Sequence, residues 1–197
     1  MEITAQMVKE LREQTGAGMM DCKKALAATE GNFEKAAEHL REQGIAKAAS
    51  KEGRKTAEGV IATYVHTGDK LAVMVEINCE TDFVARTDNF KAFCRDIAMH
   101  VAASSPLCVK RDELDQDLIN KEREIYRHQA LNEGKPEKII DKIVDGKIEK
   151  YFAEVVLMEQ PFVKDNDLTV EEFVKNMIGS LGENIQIRRF ARFRLGE

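Results

Sequence analysis

The chain has 197 residues, of which 43% are hydrophobic and 33% charged, with a formal net charge of −5 at pH 7. That balance suits one or two domains with a real core, argues against a general nucleic-acid binder, which needs a basic surface, and leaves no apolar run long enough to cross a bilayer. Cys22, Cys79, Cys94 and Cys108 form no CxxC pair and have no His at zinc-ligand spacing, so buried reduced thiols are expected; with no signal peptide and no cofactor or metal motif, so is a cytoplasmic location.

Residues 1 to about 44 read as three short helices. Thr4 is placed to cap the first, with Ile3 stapled against Val8 and an apolar stripe of Met7, Val8 and Leu11; Gly16 and Gly18 break it. The second runs from about Met19 to Ala28 and stops at Gly31. The third starts after Asn32, buries Phe33, Ala36, Ala37 and Leu40, and is predicted to end at Gly44. In the Met19-Met20 pair, beside Lys23 and Lys24, one methionine is expected to pack and the pair is open to reading as a soft docking surface. From Ile45 to about Ala57, Lys47, Lys51, Glu52, Arg54 and Lys55 among small residues read as a charged, partly helical linker.

A hairpin follows: a strand Gly59–His66, a turn Thr67-Gly68-Asp69, and a second strand from Lys70 to Cys79. His66 stands at the rim of the turn, where a lone histidine is more often an edge residue than a base or ligand. Val73, Val75, Ile77 and Cys79 alternate onto one buried face. Asn78-Cys79-Glu80-Thr81-Asp82-Phe83-Val84 is then a strand-to-helix corner. Thr81 can cap the helix and Asp82 suits its positive end. The staple positions for a Thr81 cap fall on Glu80 and Ala85, so capping gives Phe83 no reason to be apolar. The ring either tucks into the local core, the common fate of an aromatic, or is on show for a partner.

Phe90, Phe93, Cys94, Ile97, Ala98 and Val101 recur at helical spacing until Ser104-Ser105-Pro106. From Asp112 to Asn132 apolar positions are sparse; Asn132-Glu133-Gly134-Lys135-Pro136 reverses the chain, and Pro136 opens a helix with a broad stripe from Ile139 to Val156. The first arm of this helical hairpin, about 112–157, reads as too polar to cover the second, so the surplus is expected to meet the core or a second subunit. Pro161-Phe162-Val163 is extended. Thr169 then caps a helix with Val170, Phe173, Val174, Met177 and Ile178, Glu172 stands at capping-box spacing, and Gly179 and Gly182 close it. Ile185–Leu195 is a strand of imperfect alternation, which implies a bulge or a two-sided environment. Its Arg188, Arg189, Arg192 and Arg194 either form a local basic strip or blunt a sheet edge.

The Thr81-Asp82-Phe83-Val84 tetrad, the opening Val8-Lys9-Glu10-Leu11-Arg12 with Thr15–Leu26, and Gly134-Lys135-Pro136-Glu137-Lys138-Ile139 occur in one order along the chain and together resemble bacterial elongation factor Ts, end to end. The resemblance implies an α+β protein: an N-terminal three-helix ubiquitin-associated-like bundle with linker (1–54), then a core (55–197) of a small antiparallel sheet packed with helices and a helical hairpin. It also implies a guanine-nucleotide exchange factor for the GTPase elongation factor Tu, without covalent chemistry and without a cofactor.

Carried over by position, Asp82 and Phe83 match an acid–aromatic pair that intrudes near the partner's magnesium site. Lys9, Arg12, Met19, Met20 and Lys23 lie in the region that docks on the same nucleotide domain. His66 with Gly68 is similar to a His-Gly hairpin element, written here His-Thr-Gly-Asp. Longer members carry two related core halves, whereas here one hairpin bears both motifs; short members pair as two-fold dimers, so a homodimer holding two GTPases is implied.

Two other classes compete. An enzyme would use Asp82 with His66 or Cys79, but nucleophile elbow, phosphate loop and clustered metal ligands are lacking. A non-enzymatic ubiquitin-associated-type peptide-binding adaptor would rely on the N-terminal bundle.

Overall fold

A computed structural model describes residues 3–197. The described residues are α+β, with helices α1 (Ala5–Thr15), α2 (Met19–Ala28), α3 (Phe33–Ala49), α4 (Asp82–Ala85), α5 (Asp88–Ser104), α6 (Gln116–Asn132), α7 (Glu137–Val155) and α8 (Val170–Leu181), and strands β1 (Glu58–Val65), β2 (Leu71–Cys79), β3 (Pro161–Phe162), β4 (Asp165–Thr169) and β5 (Ile185–Arg194). One sheet has the order β1-β2-β5; β3 and β4 form a second, two-stranded antiparallel sheet. The β3–β4 pair was not legible in the sequence, where only Pro161–Val163 read as extended. The chain divides into two compact units: residues up to Val60 with Ile77–Phe93 and Glu172–Gln186, and Ile61–Glu76 with Cys94–Glu171 and Ile187–Glu197.

In the first unit, local signals set the helix ends. Thr4 Oγ1 accepts from Met7 N at 3.2 Å, Gly16 takes the left-handed conformation (φ 67°) after α1, and Asn32 Oδ1 accepts from Lys35 N at 3.0 Å. Val8, Leu11, Cys22, Ala25, Leu26, Ala36 and Leu40 form the bundle core, with Ile3, Met7, Ala17, Phe33 and Ala37 against it.

Three expectations need correction here. First, α3 does not stop at Gly44 but runs to Ala49, so the expected linker begins as helix; Gly44 is buried because it faces Gly179 of α8. Secondly, α8 passes through Gly179 to Leu181, and only Gly182 (φ 77°) ends it. Thirdly, neither methionine packs: Met19 and Met20 are 47% and 64% exposed, since Cys22, Ala25 and Leu26 supply α2's buried face. Ser180 Oγ donates to Gly16 O at 2.7 Å, and Arg41 pairs with Glu172 at 2.6 Å.

In the second unit, His66 N donates to Leu71 O at 2.9 Å across the β1–β2 turn, and Leu195 N donates to Lys70 O at 2.8 Å, which sets β5 antiparallel to β2. The surplus expected on α7 is mostly absorbed within this unit. Ile140, Val144, Ile148 and Phe152 are buried with Ala130 of α6, and Ile119 and Tyr126 of α6 pack against that cluster. The polar arm covers the apolar one through a few well-placed rings and ion pairs: Lys147 lies 5.5 Å from the Tyr126 ring centroid, Arg123 pairs with Asp145, and Arg127 with Asp141. Charged stems shield apolar surface while their heads stay in water.

His100 of α5 is fully buried and carries a defined tautomer. Val163 N donates to its Nδ1 at 3.1 Å, so Nε2–H donates to Gln160 Oε1 at 2.9 Å. Gln160 Nε2 in turn donates to Ser104 O and Glu154 O.

Candidate partner-docking corner

The corner is built at the end of β2. Val73, Val75, Ile77 and Cys79 are each no more than 1% exposed, which fixes the strand's register to the core. The Cys79 thiol donates to Thr81 O at 3.2 Å and is pushed up to about 11, first by burial and then by the nearby Glu183 carboxylate, so it stays a neutral donor. Thr81, extended at φ −128°, ψ 155°, caps α4: its Oγ1 accepts from Val84 N at 3.4 Å.

The helix that follows has only four residues, after which the chain restarts as α5, where Thr87 Oγ1 accepts from Phe90 N at 3.2 Å. A single turn has one inward position, and Ala85 takes it at 7% exposure. Phe83 therefore projects. Its 78% exposure is the highest of any large apolar side chain among the described residues, and the local-core reading of this ring does not hold. Asp82 pairs with Arg86 at 2.8 Å, and their side chains are 43% and 77% exposed. An exposed pair of this kind is worth little, so Asp82 can exchange Arg86 for another donor.

Glu183, just beyond α8, is the residue that the sequence reading missed. Its Oε2 accepts from Glu80 N (3.1 Å) and Thr81 N (3.0 Å), and its Oε1 accepts from Thr81 Oγ1 (2.5 Å). The clasp is reciprocal, because Glu80 Oε1 accepts from Asn184 N at 2.6 Å. Asn184 Nδ2 donates to Arg54 O at 2.9 Å, and Arg54 lies 3.6 Å from the Glu80 carboxylate. An acid about a hundred residues downstream carries no local pattern that marks it.

The other candidate residues fall into two groups. Lys9, Arg12, Met19, Met20 and Lys23 are exposed on α1 and α2, in the same unit as Thr81, Asp82, Phe83 and Val84; Lys9 lies 3.7 Å from Glu13. His66 and Gly68 belong to the other unit. His66 is exposed, with Nδ1 2.9 Å from Tyr64 Oη, and Gly68 (φ 92°) and Asp69 (φ 58°) make the left-handed turn. Among the described residues, no group of three or more His, Cys, Asp or Glu side chains is placed to hold a metal ion.

The family model described as Elongation factor TS matches residues 2–197. Elongation factor Ts of Heliobacterium modesticaldum is 59% identical over 195 residues, spanning 99% of this chain and 91% of that protein. Elongation factor Ts of Carboxydothermus hydrogenoformans is 59% identical over 195 residues, 99% of this chain and 90% of its own. That of Geobacter sulfurreducens is 57% identical over 197 residues, 100% of this chain and 91% of its own. These matches put the α+β chain in the class of the translation elongation factors. Within that class the chain belongs to the elongation factor Ts family.

Proposed function

We propose that this chain is a cytoplasmic guanine-nucleotide exchange factor for elongation factor Tu, acting without covalent chemistry. The observation that carries the reading is Phe83, 78% exposed beside Asp82 on a hydrogen-bonded corner. A ring left in water at such a place stabilises a complex more than it stabilises its own fold. Burying it contributes about 1.5 to 3 kcal/mol, enough to hold a partner's helices away from their metal-competent packing. By reciprocity, a factor that binds the nucleotide-free GTPase better weakens magnesium and GDP binding by the same factor. Asp82 orients the approach by accepting a hydrogen bond in place of Arg86, and the exposed Lys9, Arg12, Met19, Met20 and Lys23 extend the docking surface.

The test is Phe83→Ala in a fluorescent-GDP release assay with purified elongation factor Tu. Release slows by about tenfold or more, as expected for a loss of at least about 1.4 kcal/mol, while the melting temperature is unchanged. Normal release by the folded variant would defeat the wedge.

The same reading includes a homodimer holding two GTPases. Ile61 (66%), Val65 (58%), Met74 (48%) and Phe193 (65%) are exposed on the three strands in the second unit and Leu195 (77%) just past β5, more apolar surface at one sheet than a monomer normally leaves in water. A second copy of the chain covers it, pairing about a two-fold axis.

A peptide-binding adaptor working through α1–α3 is the second reading, favoured by the exposed Met19 and Met20. Met20→Asp separates the two: an adaptor loses its ligand altogether, whereas an exchange factor retains weakened release through Phe83.

A further inference from the structure

We infer that Glu183 is the positioning residue of the docking corner, the group that aims Phe83 before any partner arrives. The inference rests on the reading of Phe83 as the docking ring. A helix of four residues cannot hold its own geometry, because the first turn of a helix costs more order than its single hydrogen bond returns. Something outside α4 (Asp82–Ala85) must fix it, and two attachments do so. Ala85 is buried beneath, and Thr81, which caps the turn, is gripped by one carboxylate through both its backbone N–H and its hydroxyl. The same carboxylate also takes Glu80 N, so two successive peptide groups face one anion. Charge-assisted bonds to an ionised acceptor are the stronger kind, and three of them on adjacent atoms leave the turn little freedom.

The return contact, from Asn184 N to Glu80 Oε1 at 2.6 Å, closes the loop, so residues 80–81 and 183–184 hold each other. Fixing an exposed anchor beforehand removes the ordering cost at the moment of binding. Glu183 touches no reacting atom; its effect passes through Thr81 to the ring two residues on.

The chain contains no tryptophan, so Phe83→Trp places a single reporter at the corner. In the free protein, Glu183→Ala lowers the emission anisotropy of this indole at unchanged far-ultraviolet circular dichroism. Glu183→Gln restores it, since a carboxamide oxygen still accepts from the Glu80 and Thr81 amides and its NH2 donates to Thr81 Oγ1. With Phe83 in place, Glu183→Ala slows GDP release from elongation factor Tu by about tenfold, the scale on which mispositioning acts, Glu183→Gln recovers most of the rate, and Glu183→Ala adds nothing in a Phe83→Ala background. Unchanged anisotropy, or equal slowing with and without Phe83, overturns the positioning role. Normal release by Phe83→Ala alone would instead overturn the reading of the ring and leave the anisotropy to decide the clasp.

Discussion

Gly44 of α3 and Gly179 of α8 meet backbone to backbone: a Cβ built on Gly179 would lie 2.9 Å from Gly44 Cα, closer than real Cβ atoms come. The contact is asymmetric. A Cβ on Gly44 would meet only Asn176 Oδ1, at an ordinary 3.7 Å. Gly179→Ala is therefore expected to destabilise the first unit by about 1 to 3 kcal/mol, overpacking outweighing the gain in helix propensity. Gly44→Ala, in a helix interior with room for a methyl group, is expected to stabilise by about 0.5 to 1 kcal/mol. Denaturant melts of the two variants check both signs.

His100 gives the second unit a dependence on pH. Burial lowers its pKa from 6.5, because the imidazole loses water that would solvate its charge. The unfolded chain therefore binds the extra proton more readily, and stability rises with pH between the folded value and 6.5, being lost as the solution is acidified below 6.5. Protonation also sets an Nδ1–H against the Val163 N–H that this nitrogen accepts. The slope approaches about 1.4 kcal/mol per pH unit at most, and His100→Gln removes it. Urea melts of both proteins from pH 7 to 5 give the difference free of carboxylate contributions common to both.

The four cysteines are all buried. Cys79 and Cys108 thiols are pushed up to about 11, chiefly by burial and next by Glu183 and Glu113 respectively. Thiolate is the reactive species, so a thiol-specific chromophore at pH 8 is expected to label none of the four in the native protein and all of them in denaturant. Rapid labelling of native Cys79 would show that the corner opens.

The proposed dimer places the second copy on the apolar sheet surface of the second unit. Phe193→Glu and Val65→Lys place charge where a second copy would sit and are expected to convert a dimer to a monomer without loss of secondary structure, since both side chains are already in water in the single chain. Light scattering at micromolar concentration reads the mass. A monomeric wild-type chain would remove the dimer.

Much of this protein was legible residue by residue. The caps at Thr4, Asn32 and Thr81, the β2 alternation and the Gly68 turn are encoded within four or five neighbours, because a cap or a strand face is decided by groups that close together along the chain. The oddity of Phe83 was legible too, as an apolar residue where the capping pattern asks for none. Its outcome was not, since exposure depends on what approaches from elsewhere. The same limit produced the misreadings of Gly44 and Gly179 as stops: a glycine in a helix ends it or lets another backbone come close, and only the neighbour decides which. In sequence the α7 stripe looks too broad for α6 to cover, because composition counts charges but not that Tyr126 and Ile119 pack against it.

The sequence by itself therefore determined most of the elements, the family and the place of the acid–aromatic corner, all of which rest on short-range pattern. The tertiary structure decided that the ring stands in water and that Glu183, about a hundred residues away, grips the turn beneath it. That contact arises only when the chain returns, because a hydrogen bond between distant segments leaves no periodic trace in either.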